Sequence, residues 1–231
     1  MSRLAVITGG AGSIGSAIAR KLAEDGYRLL LVDIVDSVEE QGAEIGAATC
    51  RADITTARGL EIVVDAAGPH VHCLVNNAGI NRDSRAGVMT DDDFRDVISI
   101  DLVAPARLAE RLRPKLTGGC VVNVSSRAAL GNFGQANYVS AKSGLIGLTR
   151  ALALKWAPDV RVNAVAPGLI ETPMTASMPP EVLTKLVSRI PSGRIGVPDD
   201  VANAVAHLAS DSLSYVTGQI VFVCGGRSIA A

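Results

Sequence analysis

The run Thr8-Gly9-Gly10-Ala11-Gly12-Ser13-Ile14-Gly15 sits between an apolar segment, Leu4–Thr8, and a helical pattern over Ser13–Asp25. Few folds use a glycine-rich turn to join a buried strand to a helix. Within the run, Gly10, Gly12 and Gly15 fit GxGxxG. Absent side chains let backbone amides approach a pyrophosphate, which then rests on the positive end of the following helix. A turn that merely permits tight packing would show the same glycines. The position directly after a strand and before a helix favours the phosphate reading.

The rest of the chain repeats this alternation. Arg28–Val32, Cys73–Val75, Cys120–Val124, Arg161–Ala166 and Ile220–Val223 read as further strands, short and continuously apolar. Helical patterns fill the gaps, among them Asp92–Leu112, Tyr138–Trp156 and Pro198–Ala209. Such strands, alternating with helices, predict an α/β fold: a doubly wound parallel sheet, Rossmann-like, with helices on both faces. A sheet of this kind binds ligands beyond the carboxyl ends of its strands. The length of 231 residues suits one domain, residues 1–231. The segment Leu169–Arg194, rich in Pro, Met and Ser, is expected to be a mobile lid over that edge.

The same features limit partners and compartment. No stretch approaches the roughly 20 apolar residues of a membrane span. Only Met1, Ser2 and Arg3 precede the first strand, so the first apolar segment is structural rather than a cleavable leader, and a cytoplasmic protein is expected. The formal charge of −1 offers no basic surface to nucleic acid or to acidic membranes, leaving a small-molecule substrate as the expected partner. Cys50, Cys73, Cys120 and Cys224 are scattered in or beside apolar segments, without metal-ligand spacing, and read as buried thiols.

The second strand runs into Asp33, 18 residues past Gly15, followed by Ile34, Val35 and Asp36. That offset suits an acid on the adenosine ribose. Its carboxylate would accept from both ribose hydroxyls and repel a 2′-phosphate, and no Arg or Lys follows it to meet one. The alternative is a strand-end Asp capping a turn. Asp53, with Ile54, is a softer candidate for the adenine end. Tyr138 and Lys142 are spaced i, i+4, one helical turn apart on one face. A phenol ordinarily ionises near pH ~10. A neighbouring ammonium favours the phenolate, so the pair can serve as general acid or base on an alcohol or carbonyl. The Ser125-Ser126 pair ends a predicted strand, where this type of sheet presents a hydroxyl to ligand.

Taken together, the Gly-rich turn, Asn76-Asn77-Ala78-Gly79, Ser125, Tyr138-xxx-Lys142 and Pro167-Gly168 resemble a short-chain dehydrogenase/reductase of the compact, single-domain kind. The interval of 13 residues from Ser125 to Tyr138 matches the family and selects Ser125 over Ser126. The resemblance implies roles. Tyr138 would exchange a proton with the substrate oxygen, and Ser125 would hold that oxygen. Lys142 would bind the nicotinamide ribose and lower the tyrosine pKa. The cofactor, NAD, would lie along Gly9, Gly12, Ser13, Ile14 and Gly15. Asn77, Ala78 and Gly79 would line its adenosine side, and Pro167, Gly168, Ile170 and Thr172 its nicotinamide end. The resemblance also implies a homotetramer joined through the Asp92–Leu112 and Tyr138–Trp156 helices.

Two positions depart from the family pattern. Ser13 stands where the usual turn has Gly. Asp101 stands where an Asn usually completes the catalytic set, partly through its backbone carbonyl. Asp preserves the backbone role, while its charge can alter the proton relay. Other clusters are read structurally. Thr90 with Asp91, Asp92 and Asp93 is a helix N-cap with acids in the first turn, not a metal site. His70 and His72 are read as surface histidines. Met174 and Met178 either close over an apolar substrate or simply pack.

The expected function is an NAD-dependent oxidoreductase acting on a small secondary alcohol or ketone, within a pocket walled by Arg127, Phe133, Gln135, Leu169 and the lid. The segment Gly131–Tyr138 looks most like the 3-oxoacyl carrier-protein reductases, so a 3-oxoacyl thioester reductase is an alternative. The phase Gly9, Gly12, Gly15 also suits a nucleotide-sugar epimerase or dehydratase, and Asp101 a non-catalytic dinucleotide-binding protein.

Overall fold

The computed structural model describes residues 3–230; Met1, Ser2 and Ala231 lie outside the described residues, as does the side chain of Met174 and with it the Met174–Met178 pairing. The chain runs β1 (Leu4–Thr8), α1 (Ser13–Glu24), β2 (Arg28–Asp33), α2 (Ser37–Ile45), β3 (Ala48–Arg51), α3 (Ala57–Ala66) and β4 (Cys73–Asn76). There follow α4 (Asp91–Ile98), a π-helical turn (Ser99–Val103), α5 (Ala104–Leu112), β5 (Cys120–Val124) and α6 (Ala136–Trp156). The last part holds β6 (Arg161–Pro167), α7 (Pro173–Ala176), α8 (Pro180–Val187), α9 (Pro198–Ala209) and β7 (Ile220–Val223).

All seven strands pair in parallel, in the order β3-β2-β1-β4-β5-β6-β7. Side chains alternate across each strand, so one strand feeds two cores. Leu4 and Val6 of β1 pack with α3, α5 and α6 through Leu60, Leu108 and Trp156. Ala5 and Ile7 pack with α1 and α9 through Ile18, Leu22 and Val205. This is the doubly wound, Rossmann-like sheet expected from the sequence. The order reverses between β1 and β4, so the connections leave these strands in opposite directions and open a crevice at their carboxyl ends.

Two readings are corrected. The pattern over Asp92–Leu112 is not one α-helix: the π turn at Ser99–Val103 separates α4 from α5. A π turn accommodates an extra residue, which an apolar periodicity does not reveal. Leu102 of this turn sits against Gly144 of α6, where an added Cβ would lie 2.7 Å from the leucine Cδ2. His72 is half-buried rather than a surface residue, and its Nδ1 accepts from the Leu4 amide at 3.3 Å, joining the starts of β1 and β4. Residues 169–194 carry two helices, α7 and α8. The Thr90 cap does form: its hydroxyl accepts from the Asp93 amide at 3.1 Å. Among the described residues, no helix is long and apolar enough to cross a membrane.

Candidate active site

The crevice above β1 and β4 is a cleft of about 580 Å³. Its walls include Gly9, Gly12, Ser13, Ile14, Gly15, Asp33, Ile34, Asp53, Ile54, Asn77, Ala78, Gly79 and Thr172. These are most of the residues read as cofactor-binding, brought from five separate parts of the chain. The volume lies within the range of small-molecule sites.

The turn is built to bring backbone close to a ligand. Gly9 has φ +68°, and a Cβ there would lie 2.8 Å from Asn77 Nδ2 and 2.9 Å from Ala78 Cα. Gly15 is equally constrained, because a Cβ would enter the Gly9 carbonyl. Gly10 instead packs against Leu31 of β2. Thr8 fastens the floor: its hydroxyl accepts from the Asn77 and Ala78 amides at 3.0 and 3.1 Å. Asn77 Nδ2 donates back to the carbonyls of Thr8 and Gly9. At the N-terminus of α1, Gly12 supplies no side-chain cap and the first turn has no acid. Its free amides and the helix dipole are therefore left to an anion. A dinucleotide pyrophosphate fits this cradle.

Asp33 caps the end of β2 and also lines the cleft. Oδ2 accepts from the Ala11 amide at 3.1 Å, and Oδ1 from the Ile34 amide at 2.8 Å. These bonds tie β2 to the Gly-rich turn, and a carboxylate retains further lone pairs for a ribose. The view that no cation stands near this carboxylate is corrected by β3. Arg51 lies in register with Asp33, donates from Nε to the Ile34 carbonyl at 3.2 Å and is ion-paired with Asp36. Asp53 caps the approach to α3, accepting from the Thr55 amide and hydroxyl at 2.9 and 2.6 Å.

Ser125, Tyr138, Lys142 and Asp101 converge beside the β5 end. Ser125 Oγ is buried and donates to the Lys142 carbonyl at 2.9 Å. Ser126 is separated from it by role, since its hydroxyl caps the next turn at the Ala128 amide. Tyr138 is half-buried near the start of α6, and Lys142 Nζ lies 5.5 Å from its ring centre. Lys142 is itself buried. Its ammonium donates to the Val124 carbonyl at 3.0 Å and lies 3.2 Å from Asp101 Oδ2. Asp101 Oδ1 accepts from the Ile80 amide at 2.9 Å. Burial pushes the Asp101 carboxyl above the ordinary carboxylate range, opposed by the Lys142 ammonium and the Ile80 amide. The Asp101 side chain is therefore turned inward onto Lys142, a placement that sequence alone left open.

Beneath this group runs a buried polar chain that sequence reasoning missed. Asn76 Nδ2 donates to Asn123 Oδ1, and Asn123 Nδ2 to Thr149 Oγ1, both at 2.9 Å. It links β4, β5 and α6 through Asn76, which the family motif marks, and through Asn123 and Thr149, whose only sequence signal was polarity inside apolar runs. Pro167 and Gly168 end β6, with Gly168 closely packed on Cys224. Ile170 is buried below them. Of the expected pocket wall, Phe133 is 87% exposed, and Gln135 is occupied in holding Asp83 at 2.8 and 2.9 Å. Arg127 is half-buried, and its buried Nε has no hydrogen-bond partner.

Comparison with known proteins adds to this geometry. A family model described as enoyl-(acyl carrier protein) reductase matches residues 9–228. A subunit (BbsD) of a hydroxy(phenyl)methylsuccinyl-CoA dehydrogenase from Thauera aromatica is 37% identical over 246 residues, covering 100% of this chain and 98% of the relative. The 3-oxoacyl-(acyl-carrier-protein) reductase FabG of Thermotoga maritima is 38% identical over 241 residues, covering 98% of each. A solved structure from Brucella melitensis, titled a short-chain dehydrogenase/reductase, glucose/ribitol dehydrogenase, superposes with a TM-score of 0.95 at 34% identity. It covers 99% of this chain and 97% of that one.

Proposed function

The chain belongs to the short-chain dehydrogenase/reductase family of oxidoreductases, which bind a nicotinamide dinucleotide, and on that premise we propose that it is an NAD-dependent enzyme of secondary alcohols and ketones. The observation that carries this reading is the convergence of Ser125, Tyr138 and Lys142 at the end of β5, beside the cleft.

When bound, NAD supplies the hydride acceptor, and NADH the donor. The chain's own residues hold the substrate and move its proton. Ser125 Oγ, anchored through Lys142, fixes the substrate oxygen. Tyr138 Oη gives the proton to a carbonyl oxygen or takes it from an alcohol. Two of the three ammonium donors face Val124 and Asp101, so the third serves the cofactor ribose. Asp33 supports NAD: a carboxylate at the adenosine ribose would repel the extra phosphate of NADP. Ile34, Asp53, Ile54, Asn77, Ala78 and Gly79 complete the adenosine end, and Pro167, Gly168, Ile170 and Thr172 the nicotinamide end.

The reading takes residues 1–231 as one catalytic domain with residues 169–194 as its lid. Support comes from α8, none of whose residues is buried, and from Thr172 and Pro173, which reach the cleft wall. It also places the enzyme in the cytoplasm as a homotetramer, joined through α4 to α6. Leu154 of α6 is 85% exposed and Phe94 of α4 is 38% exposed, apolar surface that a second copy would cover. A monomer mass by light scattering would refute the assembly.

A second reading, 3-oxoacyl thioester reduction, draws on the names of the Thermotoga and Thauera relatives. One experiment separates the two. The protein is incubated with NAD⁺ and a panel of secondary alcohols, and with NADH or NADPH and a 3-oxoacyl thioester, while absorbance of the reduced cofactor is followed. Turnover of simple alcohols with NAD⁺ supports the first reading. Turnover of the thioester alone supports the second.

A further inference from the structure

Beyond Ser125, the carboxyl edge of β5, β6 and β7 carries three arginines. Arg127 begins the turn two residues after Ser125. Arg227 follows β7, whose end is tied to β6 by the bond from the Gly168 amide to the Val223 carbonyl at 2.9 Å. Arg189 lies just past α8, and the strand-like contact from the Ser192 amide to the Gly225 carbonyl, 3.0 Å, brings that segment against the chain leading to Arg227. Gly226 packs on Pro191 in the same seam. Arg127 and Arg227 are half-buried, and Arg189 is exposed.

Among the described residues, none of the three has an ion-pair or side-chain hydrogen-bond partner, and the Arg127 Nε is buried without one. Like charges gathered at a partly buried edge destabilise the free protein. Burial and the neighbouring Arg127 and Arg189 charges push the Arg227 pKa down, in keeping with their gathering around Arg227. A guanidinium is a planar fork of donors that matches a carboxylate or phosphate in two-point geometry. An oxyanion seated among them would offset the repulsion and satisfy the orphaned donor.

We infer that Arg127, Arg189 and Arg227 form an oxyanion site, and that the substrate whose oxygen meets Ser125 and Tyr138 carries a carboxylate or phosphate elsewhere in the molecule. The inference rests on the proposed hydride-transfer reading only for the claim that the anion is part of the substrate. The site lies across the ends of β5, β6 and β7, next to the residues expected at the nicotinamide end.

Two measurements test it. Calorimetric titration of succinate, and separately of inorganic phosphate, into the protein saturated with NADH reads the site without turnover. Saturable binding is expected for at least one probe, and which one binds distinguishes a carboxylate from a phosphate. Arg227→Gln, past the last strand, should weaken it by at least ~10-fold, as should Arg127→Gln if that variant folds. No saturable binding to the wild type, or equal binding to Arg227→Gln, overturns the site. The second measurement compares a keto acid with its methyl ester. The acid should be preferred at least ~10-fold in kcat/KM, and Arg227→Gln should erase the preference. Equal turnover of acid and ester overturns the assignment to the substrate while leaving the dehydrogenase reading intact. Probe binding lost in Arg227→Gln, with no ketone turned over, upholds the oxyanion site and removes the dehydrogenase reading instead.

Discussion

Lys142 Nζ lies 3.2 Å from Asp101 Oδ2, and both side chains are closed to solvent. Burial raises the Asp101 pKa despite this partner. A carboxyl with a raised folded-state pKa binds its proton more tightly in the folded than in the unfolded chain. Its contribution to stability is thus fully present below the unfolded value, about 3.9, and is lost as pH rises through the folded one. Asp101→Asn removes that titration. Unfolding free energies measured from about pH 4 upward should fall less steeply in the variant than in the wild type. The acid limb of its kcat/KM profile should lose one ionisation. Activity is expected to be kept or modestly changed. Identical pH dependence in both assays would show that the carboxylate takes no part.

Gly79 is what lets this pair approach the cleft. A Cβ at that position would lie 2.8 Å from Asp101 Oδ2 and 3.3 Å from Lys142 Nζ. Gly79→Ala is expected to cost about 1–3 kcal/mol of stability, the usual penalty for overpacking a filled site. It should weaken both turnover and dinucleotide binding. Gly87→Ala, where a Cβ meets nothing within 4 Å, is the control and should be near neutral. Denaturant melts with a fluorescence titration of the cofactor check both. A Gly79→Ala protein with wild-type affinity would detach the pair from the cofactor site.

Tyr138 is half-buried, and among the described residues its hydroxyl has no hydrogen-bond partner. Tyr138→Phe therefore removes the proposed proton donor with little effect on packing. Turnover should drop by about two to four orders of magnitude. NAD affinity and melting temperature should stay close to wild type. Activity within a few-fold of wild type would remove the phenol from the chemistry.

Cofactor choice should follow the charges around Asp33. Two like unit charges ~4 Å apart repel by about 4 kcal/mol at an effective dielectric near 20, and half of that is still more than tenfold. NAD is expected over NADP by at least ~10-fold in kcat/KM. Asp33→Ala should narrow the gap mainly by weakening NAD. Arg51 adds a second step, since Asp36 now occupies it. Combining Asp33→Ser with Asp36→Ser frees that guanidinium beside the ribose and should raise NADP efficiency above that of Asp33→Ser alone. Equal use of NAD and NADP by the wild type would reduce Asp33 to a strand-end cap.

Most of this framework was legible because each signal was local. The Gly-rich turn, the strand-end Asp33 and the i, i+4 pair Tyr138 and Lys142 sit within single elements, and sheet order then carries them together. What escaped had no local signal. β3 is four residues long with only Cys50 buried, so neither apolar run nor alternation marks it. Missing β3 hid Arg51, whose nearness to Asp33 exists only through strand register. The pairing of Asp101 with Lys142 needs the π turn to aim the carboxylate inward, and no pattern of residue types announces that turn. The arginine cluster joins three loops that are distant in sequence and adjacent only at the sheet edge.

The π turn at Ser99–Val103 has a bearing on how this chain tolerates insertion and deletion. Each residue of an α-helix advances the azimuth by about 100°, so one surplus residue rephases everything on its far side. Deleting a single residue there would leave a straighter and locally more favourable helix. It would also swing α4 by roughly a quarter turn or more relative to α5, carrying Val97 out of the core while Leu108 and Leu112 stayed in it. Length in this segment thus sets where Asp101 meets Lys142, and a shortened variant should fold around a misaligned site.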